Sequence, residues 1–240
     1  MLNVLKDGIQ VMVVTGTSRG IGCEIAKFFL QKEFVVVGCS RGPKTINHPN
    51  YKHYMIDACN ELEVKKWARV VKNEFRKIDI VVCNVGLVQL GAVTGATSLD
   101  AFKSYLESNL VSTFLVCREF SKIMMLQRYG RIINIGSIMS EMHAPGTCAY
   151  ASTKLAVVEF TKVLARELAE YGVTCNIVSP SMVITNSNLE FGEKWKKAML
   201  EMQTIKRPIE ASELCHLIEF FASPLSSILT GQILHTCYVN

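Results

Sequence analysis

The chain has 240 residues, of which 49% are hydrophobic and 20% charged, and its formal net charge is +5. This composition is typical of one large globular domain or two small ones. Because no linker interrupts the pattern of strands and helices, we predict one domain over residues 1–240. The 26 basic and 21 acidic residues are mixed without a long basic block, so nothing predicts binding to nucleic acid.

Short β-branched runs alternate with helical patterns along the whole chain. Strands are predicted over residues 10–15, 34–40, 53–57, 78–84, 131–137 and 173–180, and a last apolar segment covers 231–237. Helices are predicted over residues 22–33, 61–75, 102–128, 150–171 and 211–223. This order predicts an α/β fold with a doubly wound parallel sheet and helices on both faces. Ligands of such sheets bind beyond the carboxyl ends of the strands, so the loops there hold the candidate site residues.

Nine cysteines are scattered through the chain, and no two form a C-x-x-C pair. No zinc site is therefore predicted, and no metal is expected. Unpaired thiols inside apolar runs are typical of a reducing compartment. The sequence has neither a membrane-span pattern nor a signal-peptide pattern. We expect a cytoplasmic protein without membrane contact, or an organellar one if a targeting segment precedes these residues.

A glycine-rich loop, TGTSRGIG from Thr15 to Gly22, follows the first strand and opens the first helix. Glycine lets the backbone approach a phosphate, and a helix N-terminus favours an anion. In this context the loop predicts a dinucleotide site rather than a purely structural turn. The predicted contacts are Gly16, Ser18, Arg19, Gly20, Ile21 and Gly22.

The second strand ends at Ser40, and Arg41 follows it. No Asp or Glu stands there, although an NAD site usually has one to bind the ribose hydroxyls. The guanidinium groups of Arg41 and Arg19 suit a 2′-phosphate, so we assign Ser40 and Arg41 to the cofactor site and predict NADP(H). The alternative is a pair of solvated arginines.

Two further loops are assigned to the cofactor site. Asp57 and Ala58 follow the third strand, where a carboxylate can accept a hydrogen bond from the adenine amino group. Asn84, Val85 and Gly86 follow the fourth strand and would run beside the cofactor.

Tyr150 and Lys154 stand four residues apart on a predicted helix, so they share one face. Taken alone, such a pair is more often a surface feature without a role. Ser137 ends the fifth strand, where it would face this pair. Asn109 lies in a predicted helix, although asparagine is a poor helix former. Either the helix tolerates this residue, or its side-chain amide has a function.

Together these segments resemble the short-chain dehydrogenase/reductase family over essentially the whole chain. The matching pieces are TGTSRGIG, NVG, Asn109, Ser137 and YASTK, in the family's order and spacing. The resemblance implies an enzyme with a single Rossmann domain and a catalytic tetrad of Asn109, Ser137, Tyr150 and Lys154. Within the family, the middle segments are similar to NADP(H)-dependent 3-oxoacyl-acyl-carrier-protein reductases. The implied substrate is a small-molecule or carrier-bound ketone, with acyl carrier protein as a partner.

The resemblance also implies a mechanism, in which hydride passes from NADPH to a ketone while Tyr150 donates a proton. Lys154 and the oxidised nicotinamide are expected to lower the pKa of the Tyr150 phenol, and Lys154 is also expected to bond the nicotinamide ribose. Ser137 is expected to hydrogen-bond the carbonyl oxygen, and Asn109 to hold the helix and a water beside Lys154.

The chain departs from the family pattern at several positions. Val85 stands where the usual residue is Ala, and Ser181 replaces a Gly beside the cofactor's carboxamide. Arg128 matches a carrier-docking position, whereas Tyr171 stands where a basic residue is common. The chain ends in ILHTCYVN instead of an Asp-Gly-Gly tail. The resemblance also assigns Pro180, Val183 and Thr185 to the cofactor site.

Other interpretations stay open on the sequence alone. One is a reductase of the same family for another small carbonyl, a sugar or a polycyclic substrate, and the other is a cofactor-binding regulator without turnover. The lysine-rich segment 193–199 is either a solvated face or a surface for an acidic carrier. We expect a homotetramer or homodimer, because two helices carry apolar residues on more than one face. These residues are Leu115, Val116, Val157, Val158, Phe160 and Val163.

Overall fold

The structure is a computed structural model that describes residues 8–88, 92–184 and 192–239. In these ranges the strands are β1 Val11–Thr15, β2 Val35–Ser40, β3 Tyr51–Met55, β4 Ile80–Cys83, β5 Gly130–Ile135, β6 Val173–Ser179 and β7 Ile233–His235. The α-helices are α1 Gly20–Gln31, α2 Glu61–Phe75, α3 Leu99–Tyr105, α4 Ser112–Gln127, α5 Met139–Met142, α6 Cys148–Leu168, α7 Glu193–Glu201 and α8 Ala211–Ala222.

The strands form one parallel sheet in the order β3-β2-β1-β4-β5-β6-β7. Every residue of β1, β2, β4, β5 and β6 is buried, as expected for strands covered on both faces. The predicted fold class, an α/β fold with a doubly wound parallel sheet, is confirmed.

Two hydrophobic clusters hold the helices on the two faces of the sheet. Helices α2, α4 and α6 cover one face through side chains such as Trp67, Phe120 and Leu164. Helices α1 and α8 cover the other face, where Phe29 and Phe221 are buried. None of the helices in the described ranges combines the length and the apolar character that crossing a bilayer requires.

One predicted strand is shifted, one predicted helix is interrupted, and two short helices lie outside the predicted ones. Strand β3 begins and ends two residues earlier than predicted, because its register with β2 pairs Ser40 with Met55. The predicted helix over 102–128 is divided by a π-helical stretch, Leu106–Val111, which contains Asn109. Helices α5 and α7 were not predicted, since neither short segment has a clear helical repeat in the sequence.

The apolar residues cited for an oligomer mostly serve the protomer itself. Leu115, Val116, Val157 and Val158 are each at most 4% exposed and pack in the protomer's own core. Among the six, Val163 is 50% exposed and Phe160 is half-buried. The apolar outer face of α4 and α6 is therefore narrower than the six residues imply.

Candidate active site

A crevice opens at the carboxyl end of the sheet beside β1. The chain winds in opposite directions from this strand, because β1 pairs with β2 on one side and with β4 on the other. The loops that leave β1 and β4 therefore separate, which is the usual position of a ligand in doubly wound sheets. The predicted cofactor-binding loops all start from this edge.

The glycine-rich loop has the geometry that a dinucleotide phosphate requires. Gly16 has a φ of 75°, which glycine adopts without strain. A Cβ on Gly22 would lie 2.3 Å from the Gly16 carbonyl oxygen and 2.5 Å from Asn84 Nδ2, so only glycine lets α1 approach this closely. Helix α1 begins at Gly20 with no capping side chain and no acidic residue in its first turn. Its first N–H groups are therefore available to an anion.

Arg19 and Arg41 flank this loop with exposed side chains, as a 2′-phosphate site requires. Arg19 directly precedes α1, beside the half-buried Ser18, and Arg41 directly follows β2. Two N–H groups of the glycine-rich loop donate to the Cys39 carbonyl oxygen at 2.9 and 3.1 Å, which ties the loop to the end of β2. The two arginines thus belong to adjoining segments.

The next three predicted residues differ in what they can offer a ligand. Ser40 is buried, and its hydroxyl donates to the Gly42 carbonyl oxygen at 3.0 Å. Asp57 Oδ1 accepts from the Cys59 N–H at 2.9 Å, and the carboxylate keeps further lone pairs for an adenine amino group. The Ala58 side chain is buried in the core, so only its backbone is available to the cofactor.

The loop after β4 is fixed to the end of β1. The Thr15 hydroxyl accepts from the N–H groups of Asn84 and Val85 at 2.9 and 3.1 Å. Asn84 Nδ2 donates to the Thr15 carbonyl oxygen at 2.9 Å. The branched side chain of Val85 packs against the core under α2, α4 and α6. Gly86 is exposed and lines the cavity described next.

Ser137, Tyr150 and Lys154 meet at a cavity of about 160 Å³. Tyr150 and Lys154 lie one turn apart on α6, with Lys154 Nζ 6.0 Å from the centre of the Tyr150 ring. The Ser137 hydroxyl accepts from the Met139 N–H at 3.2 Å, and Ser137 lines the same cavity as the phenol. Lys154 is 5% exposed, and its Nζ donates to the Ile135 carbonyl oxygen at 2.8 Å. The structure thus brings these three predicted residues together.

Burial shifts two pKa values in this group. It raises the pKa of Tyr150 to about 12, although the contact with Ser137 acts in the opposite direction. Burial also lowers the pKa of Lys154 to about 8. The expected lowering of the phenol pKa by Lys154 and the oxidised nicotinamide together concerns the cofactor complex and stays a prediction. Tyr150 itself is half-buried and lines the cavity.

Asn109 holds the loop after β4 rather than merely occupying a helix. Its Oδ1 accepts from the Leu87 N–H at 2.7 Å, and its Nδ2 lies 3.3 Å from the Leu87 carbonyl oxygen. The same Nδ2 donates to Thr153 Oγ1 at 2.9 Å, next to Lys154. A Cβ on Gly86 would lie 3.0 Å from Asn109 Oδ1 and 3.4 Å from Lys154 Nζ. Its amide therefore links the π-helical stretch, the loop and α6.

The segment after β6 completes the cavity. Pro180, Ser181 and Val183 all line it. The Ser181 N–H donates to Thr236 Oγ1 at 2.7 Å, which fixes the backbone at the position where Gly is usual. Thr185, which was assigned to the cofactor, lies outside the described residues.

A thioether-rich wall of the cavity was not indicated by the sequence. Four methionines and a tryptophan contribute to it, together with aliphatic side chains. These residues are Ile138, Met139, Met142, Met182, Trp195 and Met199. These residues lie in two segments of the chain, one after β5 and one after β6. A methionine in the loop that leaves each strand is the feature that the two segments have in common in the sequence.

The surface positions linked to a carrier protein lie on two elements. The exposed Arg128 donates to the Glu170 carbonyl oxygen at 2.9 Å, and its guanidinium lies 5.7 Å from the centre of the Tyr171 ring. The lysine-rich segment forms α7, where Lys196 pairs with Glu193 at 2.8 Å. Trp195 of the same helix lines the cavity, so α7 connects the surface to the proposed site.

A model of the short chain dehydrogenase family matches residues 10–195 of this chain. A curated relative is the 3-oxoacyl-(acyl-carrier-protein) reductase of Vibrio cholerae serotype O1. It is 31% identical over 232 residues, which cover 94% of this chain and 95% of the relative.

Two solved structures are similar over nearly the whole fold. A structure of ElxO with NADP bound has a TM-score of 0.89 at 26% identity, and the match covers 95% of this chain and 96% of that one. A variant of actinorhodin polyketide ketoreductase with NADPH has a TM-score of 0.88 at 26% identity, and the match covers 98% of both chains. The family resemblance seen in the sequence is thereby confirmed.

Proposed function

The chain belongs to the short-chain dehydrogenase family, and on that premise we propose that it reduces a ketone to a secondary alcohol with NADPH. Membership of the family makes it a nicotinamide-dependent oxidoreductase. The observation that carries the finer proposal is the convergence of Ser137, Tyr150 and Lys154 on one largely apolar cavity.

The residues of the chain explain how the proton and the charge are handled. When bound, NADPH supplies the hydride. Because burial raises the pKa of Tyr150 to about 12, the phenol keeps its proton at neutral pH and suits a general acid. The Ser137 hydroxyl is placed to stabilise charge on the substrate oxygen. Lys154 Nζ, held on the Ile135 carbonyl, places a cation one turn from Tyr150 and would bind a ribose hydroxyl of the cofactor.

The choice of NADP(H) follows from the loops after β1 and β2. Gly16 and Gly22 leave room for the pyrophosphate, and the uncapped start of α1 supplies N–H groups. The exposed Arg19 and Arg41 suit the 2′-phosphate, and no acidic residue directly follows β2. The presence of NADP or NADPH in the two similar structures supports the same choice.

The cavity favours an apolar substrate over a sugar. Lys154 is the one charged side chain among the described residues that line it, and methionine and isoleucine are the commonest of these residues. A sugar would leave many hydroxyls without partners on such a surface. We therefore favour a 3-oxoacyl thioester, and α7 and Arg128 are the surfaces proposed to meet its acyl carrier protein. A polycyclic ketone would also suit this apolar lining.

Turnover measurements with acetoacetyl thioesters and NADPH test the proposal directly. Tyr150→Phe should bind NADPH as the wild type does and lose roughly 10²–10⁴ in turnover, because it lacks the proton donor. Lys154→Ala should lose turnover and also bind NADPH more weakly. Tyr129→Phe removes a phenol outside the cavity lining and should behave as the wild type.

The outcomes separate the competing functions. Wild-type turnover in Tyr150→Phe would show that the proposed mechanism is mistaken. Reduction of polycyclic ketones alone would keep the mechanism and replace the acyl substrate. NADPH binding without turnover on any ketone would favour a cofactor-binding regulator.

We also propose that residues 1–240 form one domain that assembles into a homodimer or homotetramer. Phe114, Leu155 and Val163 are 41%, 49% and 50% exposed on α4 and α6. Phe114 stacks edge-on against Phe160, with ring centres 6.0 Å apart, so the outer face of the helix pair has an apolar strip. Pairing of such strips across a two-fold axis is the commonest way to cover them.

A further inference from the structure

A chain of hydrogen bonds runs from the glycine-rich loop to the turn after β2 and passes through β3. The Thr17 hydroxyl lies 2.7 Å from the Tyr51 hydroxyl, which lies 3.0 Å from His53 Nδ1. His53 Nε2 in turn lies 3.0 Å from the Gly42 carbonyl oxygen. This relay joins the two segments that carry Arg19 and Arg41.

The last link of the relay has a fixed direction. A carbonyl oxygen only accepts, so His53 Nε2 carries a hydrogen and donates to Gly42. The Thr17 hydroxyl donates to the Cys39 carbonyl oxygen at 3.4 Å, and the Tyr51 hydroxyl bonds both Thr17 and His53 Nδ1. Burial raises the pKa of Tyr51 to about 12, so its hydroxyl keeps its hydrogen at neutral pH. The contacts of Tyr51 thus orient the His53 ring so that Nε2 faces Gly42.

Gly38 of β2 leaves the space in which the Thr17 and Tyr51 hydroxyls meet. A Cβ on Gly38 of β2 would lie 2.3 Å from the Tyr51 hydroxyl and 2.5 Å from Thr17 Oγ1. Only glycine at this position leaves space for the two hydroxyls to meet. Thr17 is fully buried and Tyr51 is 5% exposed, so this hydrogen bond is shielded from water.

The Gly42 carbonyl has a second donor, and that donor belongs to the cofactor site. The Ser40 hydroxyl donates to it at 3.0 Å and lies 3.3 Å from His53 Nε2. A carbonyl oxygen has two lone pairs, so both donors can be accommodated. If the Ser40 hydroxyl turns away toward a ligand, Gly42 still keeps its bond from His53. Without His53, that rotation would leave the carbonyl without a protein donor.

We propose that His53 is a positioning residue for the 2′-phosphate of NADP(H), because it holds the Gly42 carbonyl and so releases the Ser40 hydroxyl to bind the phosphate. This inference rests on the proposed cofactor. It assigns a role in cofactor selectivity to β3, a strand whose residues do not themselves need to touch the nucleotide.

Calorimetric titration with adenosine 2′,5′-bisphosphate and adenosine 5′-phosphate tests the inference without any turnover. His53→Phe keeps a flat ring and removes both nitrogens. It should weaken binding of the bisphosphate about tenfold, because one hydrogen bond contributes about that factor to affinity. Binding of the monophosphate should be unchanged. His53→Gln restores an N–H donor and should recover most of the loss. In a Ser40→Ala background, His53→Phe should have no further effect.

Tyr54→Phe is the matched control on the same strand. Its hydroxyl bonds Glu74 of α2 instead of the relay, so the variant should bind both nucleotides as the wild type does. Three results would each overturn the role of His53. In the first, His53→Phe weakens binding of both nucleotides equally, so that the ratio of their affinities is unchanged. In the others, its loss of affinity adds to that of Ser40→Ala, or His53→Gln does not recover binding. A wild-type protein that binds the two nucleotides equally would instead overturn the NADP(H) proposal itself, and this inference with it.

Discussion

Replacing Lys154 with methionine should stabilise the cofactor-free protein at neutral pH, although it removes a proposed catalytic residue. Lys154 is 5% exposed, and burial lowers its pKa from 10.5 to about 8. A shift of this size lowers the free energy of unfolding by about 3 kcal/mol at any pH at which the lysine is charged in both the folded and the unfolded protein. Methionine has a similar length and no charge, so it escapes this penalty.

The hydrogen bond to Ile135 reduces the net gain. Lys154 Nζ donates to the Ile135 carbonyl oxygen at 2.8 Å, and its loss costs about 1 kcal/mol. We therefore expect Lys154→Met to raise the free energy of unfolding by about 2 kcal/mol near pH 7.

The gain should vanish as the pH rises. Between the folded pKa of about 8 and the unfolded value of 10.5, the unfolded chain binds the extra proton, so the wild type gains stability with rising pH. Lys154→Met has no lysine here, so its stability lacks this dependence on pH. Near pH 10 the cost of the buried charge in the wild type has almost disappeared. The small cost that remains is similar to that of the hydrogen bond missing in the variant, so the two proteins should be about equally stable.

Urea unfolding at several pH values and one fixed protein concentration measures the difference, because ionisations common to both proteins cancel. Lys162→Met on the same helix is the control, since Lys162 is exposed and pairs only weakly with Glu159 at 3.4 Å. Its difference from the wild type should stay small at every pH. A Lys154→Met protein that is less stable near pH 7, or a difference that does not change with pH, would refute the reasoning.

Three further outcomes are expected. Arg41→Asp should reverse or erase the preference for NADPH over NADH in binding titrations, because it replaces a phosphate partner by a carboxylate; equal wild-type constants for the two cofactors would contradict this. Gly22→Ala should lower the free energy of unfolding by about 1–3 kcal/mol, because the new Cβ meets backbone at 2.3 Å, whereas Gly95→Ala meets nothing within 4 Å and should be neutral. Val163→Glu should reduce the mass measured by light scattering to that of a monomer, whereas Leu62→Glu on α2 should not; a monomeric wild type at micromolar concentration would rule out the oligomer.

The order of strands and helices was predictable because each element has its own local signature. Continuous apolar runs marked β1 and β4. An amphipathic pattern marked α2, although of its apolar residues Leu62, Trp67, Val70 and Val71 only Trp67 and Val71 are buried. The grouping of Ser137, Tyr150 and Lys154 was predictable from the family resemblance, since the motifs have fixed spacing. The local sequence also placed the glycine-rich loop before α1.

Features that depend on contacts between distant segments were not predictable. The relay through His53 joins residues 34 positions apart at its first link, and no local pattern reports such a contact. The pKa of Tyr150 is raised by burial, to which several elements contribute, and the motif alone does not report this burial. The thioether-rich wall also brings together loops that lie far apart in the chain.

The π-helical stretch Leu106–Val111 makes chain length, and not only residue type, matter at this site. A π-turn closes its hydrogen bonds over one residue more than an α-turn. Removing one residue would therefore restore a continuous α-helix with α3 and α4 close to their present orientation, because the π-turn accommodates the extra residue. The amide of Asn109 would then move away from Leu87 and Thr153. A single deletion here would break the link between the loop after β4 and α6, whereas a substitution would change only one side chain.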